Sequence, residues 1–209
     1  MFISDFMEKI IEIPEGIEVE ANNFKIKVKG PKGLLERDFY NPIFKNEILI
    51  KKENNKIFLI TESKKRKIKA MIGTIVSHLN NMFDGVREEY LAKLKIIYMH
   101  FPFTVKVSGK EIVINNFLGA KSPRKARIIG DCKIEVKEDE VIVTGINKED
   151  VGQTAAQLER ATWIKQRDRR VFQDGMFIIK KPWFYESIKI KIKNKEKETG
   201  LCEKERKDL

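Results

Sequence analysis

The apolar residues in the first part of the chain alternate with polar ones and then change to a helical spacing. Alternation is typical of strands with one buried face, and it leads here into a Gly-Pro-Lys-Gly turn at 30–33. Glu47–Lys52 and Lys56–Thr61 predict a hairpin, because the asparagines between them tolerate positive φ. Lys64–Asn80 is predicted to be an amphipathic helix with Ser63 as its cap.

The same order of patterns returns after an Asp-Gly dipeptide at 84–85, which is the best candidate for a domain boundary. Alternating apolar residues predict strands on either side of a Ser-Gly turn at 108–109. Ile134–Val136 is predicted to pair with Val141–Val143. Asn147 is predicted to cap a second amphipathic helix.

Equivalent landmarks of the two halves, such as Pro14 and Pro102 or Ile72 and Ala155, recur at a spacing that shrinks slowly along the chain. A tandem duplication gives this pattern when the second copy has slightly shorter loops. The sequence therefore predicts an α+β protein of two similar tandem domains, each a curved antiparallel sheet with one packed helix.

Three divisions of the chain follow from this interpretation. The first α+β repeat is predicted at 1–84 and the second at 85–182. Residues 183–209 are predicted to form a charged C-terminal tail that loses order after about Lys193.

The net charge of the chain indicates the class of its binding partner. The 209 residues include 42 Lys and Arg against 31 Asp and Glu, which gives a formal net charge of +11. A basic chain that folds indicates a polyanionic partner, first nucleic acid and then an anionic membrane. The longest charge-free run, Ala70–Phe83, is too short and too polar to span a bilayer, so we expect no membrane partner.

The residues that support catalysis or metal binding are few. Cys132 and Cys202 lie far apart without a paired-cysteine motif, so they are interpreted as reduced thiols. His78 and His100 are the only histidines, and their default interpretation is structural. No phosphate-cradling glycine motif, nucleophile elbow or zinc-protease motif is present in the sequence. We therefore expect no enzyme activity, no cofactor, no metal and no small-molecule substrate.

Clusters of cations are the positive signal. One opens the first helix at Lys64–Lys69, where cations oppose the helix dipole, and its role stays open. The other two lie in the second half, in a basic loop at 121–133 and in a segment at 165–181. A basic protein also exposes cations wherever its surface lies, and that alternative stays open for each cluster. The predicted RNA-binding residues are Lys121, Arg124, Lys125, Arg127, Lys165, Arg167, Arg169, Arg170, Lys180 and Lys181.

The aromatic residues of the second half have different predicted roles. Phe172 is predicted to anchor the basic segment to the domain, and an Asp-Gly turn at 174–175 is predicted to aim its arginines. Phe101, Phe103 and Phe177 lie in strand-like patterns and are predicted to be core. Whether Trp163 stacks on a partner or packs against the fold stays open.

Five blocks of sequence carry a resemblance to a known family. They are VKGPKGLLERDF (Val28–Phe39), IGTIVSHLNNMFDGV (Ile72–Val86), HFPFTV (His100–Val105), INNFLGAK (Ile114–Lys121) and RRVFQDGMFI (Arg169–Ile178). From about Ile10 to Ile179 the chain resembles the universal large-subunit ribosomal protein six, which is called nine in eukaryotes. The resemblance is to the eukaryotic or archaeal form rather than the bacterial one.

The resemblance implies a structural component of the large ribosomal subunit in the cytoplasm, whose second domain makes most of the contact with ribosomal RNA. It implies a position near the factor-binding side, close to the sarcin–ricin loop, with neighbouring large-subunit ribosomal proteins near the stalk base as further partners. By motif, the FLGAK loop and the RRVFQDG segment should face RNA. The tail after Lys181 departs from the family pattern.

Two other functions are compatible with the residues. The first is a non-ribosomal protein that binds structured RNA or assists ribosome assembly. The second is a nucleic-acid-processing enzyme, which the missing carboxylate-metal motif disfavours.

Overall fold

The computed structural model describes residues 7–42, 47–168 and 170–184. The chain divides into two compact units, Met1–Arg87 and Glu88–Leu209. The tail residues beyond Phe184 lie outside the described residues, and with them the predicted loss of order after about Lys193. Arg169 lies outside them as well.

The first unit consists of six strands followed by one helix. Two three-stranded antiparallel sheets, ordered β1-β6-β5 and β2-β3-β4, supply strands that pack against α1. The elements are β1 (Met7–Glu12), β2 (Glu18–Asn22), β3 (Lys25–Gly30), β4 (Gly33–Asp38), β5 (Leu49–Glu53), β6 (Lys56–Thr61) and α1 (Arg66–Arg87).

The second unit repeats this order and adds a last strand. Its antiparallel sheets are ordered β10-β9-β8 and β11-β12-β7-β13. The elements are β7 (Tyr90–Ile97), β8 (Thr104–Ser108), β9 (Glu111–Asn115), a 3-10 turn (Phe117–Gly119), β10 (Arg124–Arg127), β11 (Lys133–Lys137), β12 (Glu140–Gly145), α2 (Lys148–Ala161) and β13 (Gly175–Phe184).

The prediction of two tandem α+β units is confirmed. In each unit the first strand pairs with the second strand of the late hairpin, β1 with β6 and β7 with β12. Strand pairing divides each unit into two sheets, with the helix packed against strands of both. The predicted apolar stripe of α2 lies in the core, where Val151, Ala155 and Leu158 are fully buried. Asn147 caps α2 as predicted, because its side chain accepts a hydrogen bond from the Glu149 amide at 3.1 Å.

Helix α1 is longer at its C-terminal end than predicted and begins later. It continues through the Asp-Gly dipeptide at 84–85, where the sequence predicts a break, and ends at Arg87. Burial of Phe83 and Val86 outweighs the low helix propensity of glycine there. Gly30 approaches Val86 so closely that a Cβ at Gly30 would lie 2.8 Å from the Val86 side chain. Ser63 is not the cap, because α1 begins at Arg66.

Three strands differ from the sequence-based expectation. β4 was not predicted, and β10 lies inside the predicted basic loop, paired with β9 from Arg124 opposite Ile114 to Arg127 opposite Glu111. β13 runs past the predicted apolar stretch, because two irregularities in its pairing with β7 accommodate the residues around Pro182. The strand therefore carries Lys180 and Lys181 along the edge of a sheet.

Among the described residues, no helix is long and apolar enough to cross a membrane. Over the same residues, no three His, Cys, Asp or Glu side chains are grouped closely enough to hold a metal ion. Cys132 is a free thiol, as predicted, and Cys202 lies outside the described residues.

Candidate nucleic-acid interface

The predicted RNA-binding residues all belong to the second unit, and most are exposed. Arg124 and Lys180 are half-buried, whereas the other described members of the set are exposed. The contacts around them show which are available for a partner. The exposed members are Lys121, Lys125, Arg127, Lys165, Arg167, Arg170 and Lys181.

Asp168 shapes the basic segment rather than neutralising it. The Asp168 carbonyl accepts hydrogen bonds from the amides of Val171 and Phe172 at 3.2 and 2.9 Å. Its side chain accepts from the Arg170 amide at 2.9 Å, an arrangement typical of Asp in turns. The turn that positions Arg170 is therefore held by Asp168. The prediction of an Asp-Gly turn at 174–175 is wrong, since Asp174 is buried and Gly175 begins β13.

Phe172 carries a three-layer stack. It is half-buried against the core of the second unit, which confirms the predicted anchor. The His100 ring lies parallel to it, with 4.7 Å between ring centroids and 20° between planes. The Arg167 guanidinium lies 4.7 Å from the Phe172 centroid. Arg167 is exposed, so its guanidinium lies over the Phe172 ring and is also accessible to solvent.

Asp174 hydrogen-bonds to His100, the inner ring of this stack. Its carboxylate accepts hydrogen bonds from the amides of Met99 and His100 at 2.8 and 3.0 Å through Oδ1. Its Oδ2 lies 2.7 Å from His100 Nδ1, and since an ionised carboxylate only accepts, Nδ1–H donates. The predicted structural role of His100 is thereby confirmed. One buried carboxylate thus connects the start of β13 to the segment that precedes β8.

The pKa of Asp174 reflects this surrounding. Burial alone would raise the pKa of the carboxyl group, but the hydrogen bonds from His100 and from the Met99 amide outweigh burial and lower it. Asp174 is therefore ionised throughout the neutral range and forms charge-assisted hydrogen bonds.

The FLGAK loop contacts the same segment, the one that precedes β8. Asn116, Leu118 and Gly119 have positive φ values of 61°, 53° and 75°, so the backbone turns sharply. The Asn116 side chain donates a hydrogen bond to the Pro102 carbonyl at 2.9 Å. Phe117 fixes the loop from inside, because it is buried and meets Phe103 edge to face at 5.3 Å.

Residues 99–102 therefore join the two predicted RNA-facing stretches. Asp174 binds the backbone of Met99 and His100, and Pro102 accepts the hydrogen bond from Asn116. Phe101, between them, lies next to Gly119 and is half exposed. The prediction that Phe101 belongs to the core is wrong, because its side chain is half exposed. Of the two phenylalanines in this stretch, only Phe103 is buried.

Arg124 differs from the other predicted residues. Its Nη1 donates to the carbonyls of Ala161 and Trp163 at 2.9 and 3.1 Å, just where α2 ends. Its guanidinium also lies 4.4 Å from the centroid of Phe117. These contacts satisfy carbonyls at the helix end and brace the FLGAK loop. RNA binding by Arg124 stays a prediction, and the structure gives this residue a role inside the domain.

Arg124→Ala is expected to lower the free energy of unfolding by about 1–3 kcal/mol, because two carbonyls lose a charged donor and Phe117 loses its cation. Lys125→Ala is the matched control. Its ammonium makes only an exposed ion pair with Glu111 at 3.2 Å, so its removal should cost less than about 0.5 kcal/mol. Urea unfolding measures both variants. Equal losses would contradict the structural role of Arg124.

Lys180, the N-terminal cluster of α1 and Trp163 are three further features that the sequence singles out. Lys180 lies opposite Lys93 of β7, and Lys93 pairs with Glu140 at 2.5 Å. The N-terminal cluster of α1 lies in the first unit, where Lys65 pairs with Glu47 at 2.7 Å. The side chain of Trp163 is half exposed.

Sequence reasoning missed His100 and Asp174 as joint determinants of the interface. They lie 74 positions apart, so no local pattern connects them. The available signal was an acidic residue directly before a strand otherwise rich in apolar residues, since a carboxylate there needs donors from elsewhere in the fold.

Comparison with known proteins places the chain in a family. The model of the family described as ribosomal protein L6 matches twice, at residues 13–89 and 101–175, once in each repeat. Three relatives are named large ribosomal subunit protein uL6. The relative from Methanosarcina mazei is 48% identical over 173 residues, which is 83% of this chain and 96% of the relative. That from Methanobrevibacter smithii is 49% identical over 181 residues, 87% of this chain and 99% of the relative. That from Staphylothermus marinus is 52% identical over 171 residues, 80% and 91% respectively.

Proposed function

Because the chain belongs to the ribosomal protein L6 family, a family of structural proteins without enzyme activity, we propose that its second unit binds the RNA of the large ribosomal subunit. The chain itself is a structural constituent of that subunit and works in translation, on the ribosomes of the cytoplasm. We place its RNA contacts on the FLGAK loop and on the basic segment at 165–181.

One observation carries this proposal. The Asp174–His100–Phe172–Arg167 arrangement holds an exposed guanidinium on a rigid base beside two further exposed cations, Lys165 and Arg170. A planar guanidinium fixed in this way matches the geometry of a phosphate group and loses little entropy on binding. A surface that only served solubility would not require such a support.

The mechanism is electrostatic and depends on shape. Lysine and arginine side chains neutralise phosphates and release counterions, while rigid loops fit features of folded RNA whose base edges are poorly accessible. With about six phosphate contacts, the plot of log affinity against log salt should have a slope of about −4 to −5. An affinity for ribosomal RNA that hardly changes with salt would contradict this mechanism.

We also propose that residues 85–182 form the main RNA-binding domain. The same proposal includes a position near the factor-binding region and the stalk base, with neighbouring large-subunit proteins as partners. The family assignment supports this position, and the concentration of the predicted contacts in the second unit supports the division.

Sedimentation of a cell lysate tests the function. We expect the protein to travel with mature large subunits and polysomes after a high-salt wash. If it leaves the mature subunits in the wash, or occurs only with their precursors, the alternative of an assembly factor or a non-ribosomal RNA-binding protein holds instead.

A further inference from the structure

Phe101 exposes an aromatic ring where the segment before β8 meets the FLGAK loop. Its side chain is 50% exposed, whereas Phe103, two residues later, is buried in the core. Among the residues that the structure describes, no other aromatic ring and no cation is in contact with the Phe101 ring. Single exposed apolar side chains are common on protein surfaces, so exposure alone assigns no role to this ring.

The support of its backbone distinguishes Phe101 from such side chains. On one side, Oδ1 of Asp174 accepts a hydrogen bond from the His100 amide at 3.0 Å. On the other side, the Asn116 side chain donates to the Pro102 carbonyl at 2.9 Å. The chain is therefore fixed directly before and directly after Phe101. A partner that contacts a ring on such a backbone loses little conformational entropy.

Gly119 of the FLGAK loop lies beside this ring, and a cation follows it closely. A Cβ at Gly119 would lie 3.8 Å from Cδ2 and Cε2 of Phe101. Lys121 comes two residues later, so its Cα is within about 7 Å of the Gly119 Cα. Lys121 is exposed, and its ammonium forms no hydrogen bond or ion pair within the described part of the chain. The ring and the ammonium are thus close enough to contact the same nucleotide.

The charge around Phe101 favours RNA over an apolar protein surface as the partner. Neither Tyr90–Lys110 nor Ile112–Gly130 contains an acidic residue, although both contain several cations. A protein that covered the ring with apolar side chains would leave these cations without counter-charges. A nucleotide offers a flat apolar face and a phosphate together, and proteins that bind unpaired nucleotides combine aromatic rings with cations in this way.

We propose that Phe101 is a stacking platform for one unpaired base of the large-subunit RNA, and that Lys121 binds the phosphate of the same nucleotide. Every base has a π-face, so stacking of this kind requires an unpaired nucleotide and no particular base. The inference rests on the proposed function, because it requires that the second unit binds this RNA.

The first test replaces the ring and leaves the charge unchanged. Phe101→Leu keeps an apolar side chain but removes the flat face, so affinity for purified large-subunit ribosomal RNA should fall on the order of 10-fold. The salt slope should stay the same, because no phosphate contact is lost. Phe101→Tyr keeps the ring and should bind like the unmodified protein. Filter binding measures the affinities, and urea unfolding checks that both variants are equally stable. Equal RNA affinities of the two variants would overturn the platform.

The second test asks whether ring and cation share a nucleotide. Lys121→Ala should make the salt slope less steep by about 1. Combined with Phe101→Leu, it should weaken binding by less than the product of the two separate factors, because either change already loosens the nucleotide. Lys181→Ala, on β13, is the matched control, and its factor should multiply with that of Phe101→Leu. A full product for Lys121 as well would overturn the shared nucleotide.

A third test observes the stacking directly through Phe101→Trp. Saturating ribosomal RNA should quench the fluorescence that this variant has in excess of the unmodified protein. Inorganic polyphosphate, which offers phosphates without bases, should leave that excess unquenched. Equal quenching by both would show that the ring responds to neutralised charge and would overturn the proposal. Quenching in assembled subunits but not by RNA alone would assign the ring to a neighbouring protein instead.

These measurements also separate this inference from the proposed function. An RNA affinity that Phe101→Leu leaves unchanged, in a protein that still binds RNA with the expected salt slope, refutes the platform and leaves the proposed function intact. Absence of salt-dependent RNA binding in the unmodified protein refutes the proposed function itself.

Discussion

Asp174→Ala is expected to lower the free energy of unfolding of the second unit by about 3 kcal/mol. Three donors, the amides of Met99 and His100 and the His100 Nδ1–H, would lose their acceptor at a site where Asp174 is 2% exposed. Buried donors without partners cost about 1–3 kcal/mol each, and partial access of water to His100 reduces the sum. Urea unfolding monitored by circular dichroism measures the loss.

Asp174→Asn is the matched control, since it keeps the shape and one acceptor oxygen but loses the charge. It should cost about half as much as alanine. The pH dependence separates the charge from the packing. Since the folded pKa of Asp174 is lowered, its contribution is fully present above the unfolded pKa of about 3.9 and is lost as pH falls through the folded pKa. In Asp174→Asn this acid-dependent share should disappear, and an unchanged acid transition would contradict the role of the carboxylate.

Asp174→Ala also tests whether the support of the arginine contributes to RNA binding. Without Asp174, the His100 ring loses its orientation and Phe172 loses the surface on which it lies. Arg167 keeps its charge but not its fixed position, so RNA affinity should fall while the number of phosphate contacts, and with it the salt slope, changes little. The control is Asp168→Asn, which preserves an acceptor for the Arg170 amide and should change RNA affinity only slightly.

How much of this could be predicted from the sequence depends on the range of the interactions. The hairpin at Asn54-Asn55 and the cap at Asn147 depend on neighbouring residues, and the sequence predicts both. The end of α1 depends on burial of Phe83 and Val86, which a local rule about Asp-Gly dipeptides cannot include.

The candidate interface shows the same division. The positive charge and the anchoring by Phe172 follow from composition and from the segment itself. The support of the anchor does not, since Asp174 reaches back to His100 across most of the domain. Arg124 illustrates the converse error. In the sequence Arg124 and Lys125 are two similar members of one run of cations. Only the tertiary structure shows that Arg124 donates to a carbonyl at the end of α2, whereas Lys125 makes an exposed ion pair.

Changing Arg167, Arg169 and Arg170 to alanine together is expected to weaken binding of ribosomal RNA on the order of 100-fold at about 0.15 M salt. Each charge-assisted phosphate contact contributes about 1 kcal/mol or more, and three are removed. The slope of log affinity against log salt should become less steep by about 2 to 3. Filter binding at several salt concentrations measures both quantities, and the free energy of unfolding should change by no more than about 1 kcal/mol, since the lost contact of Arg167 with Phe172 is exposed.

A control with the same loss of charge distinguishes local contacts from a general attraction. Arg66, Lys67 and Lys69 to alanine removes three cations from the start of α1 in the first unit, where no acidic residue occurs in the first turn. Removing cations from a helix N-terminus costs no stability and relieves their repulsion by the helix dipole. If the second unit carries the main contact, this variant should retain nearly the full salt slope. Equal slopes for the two triple variants would mean that RNA responds to net charge alone, and unfolding of the Arg167 variant would mean that its arginines hold the domain together.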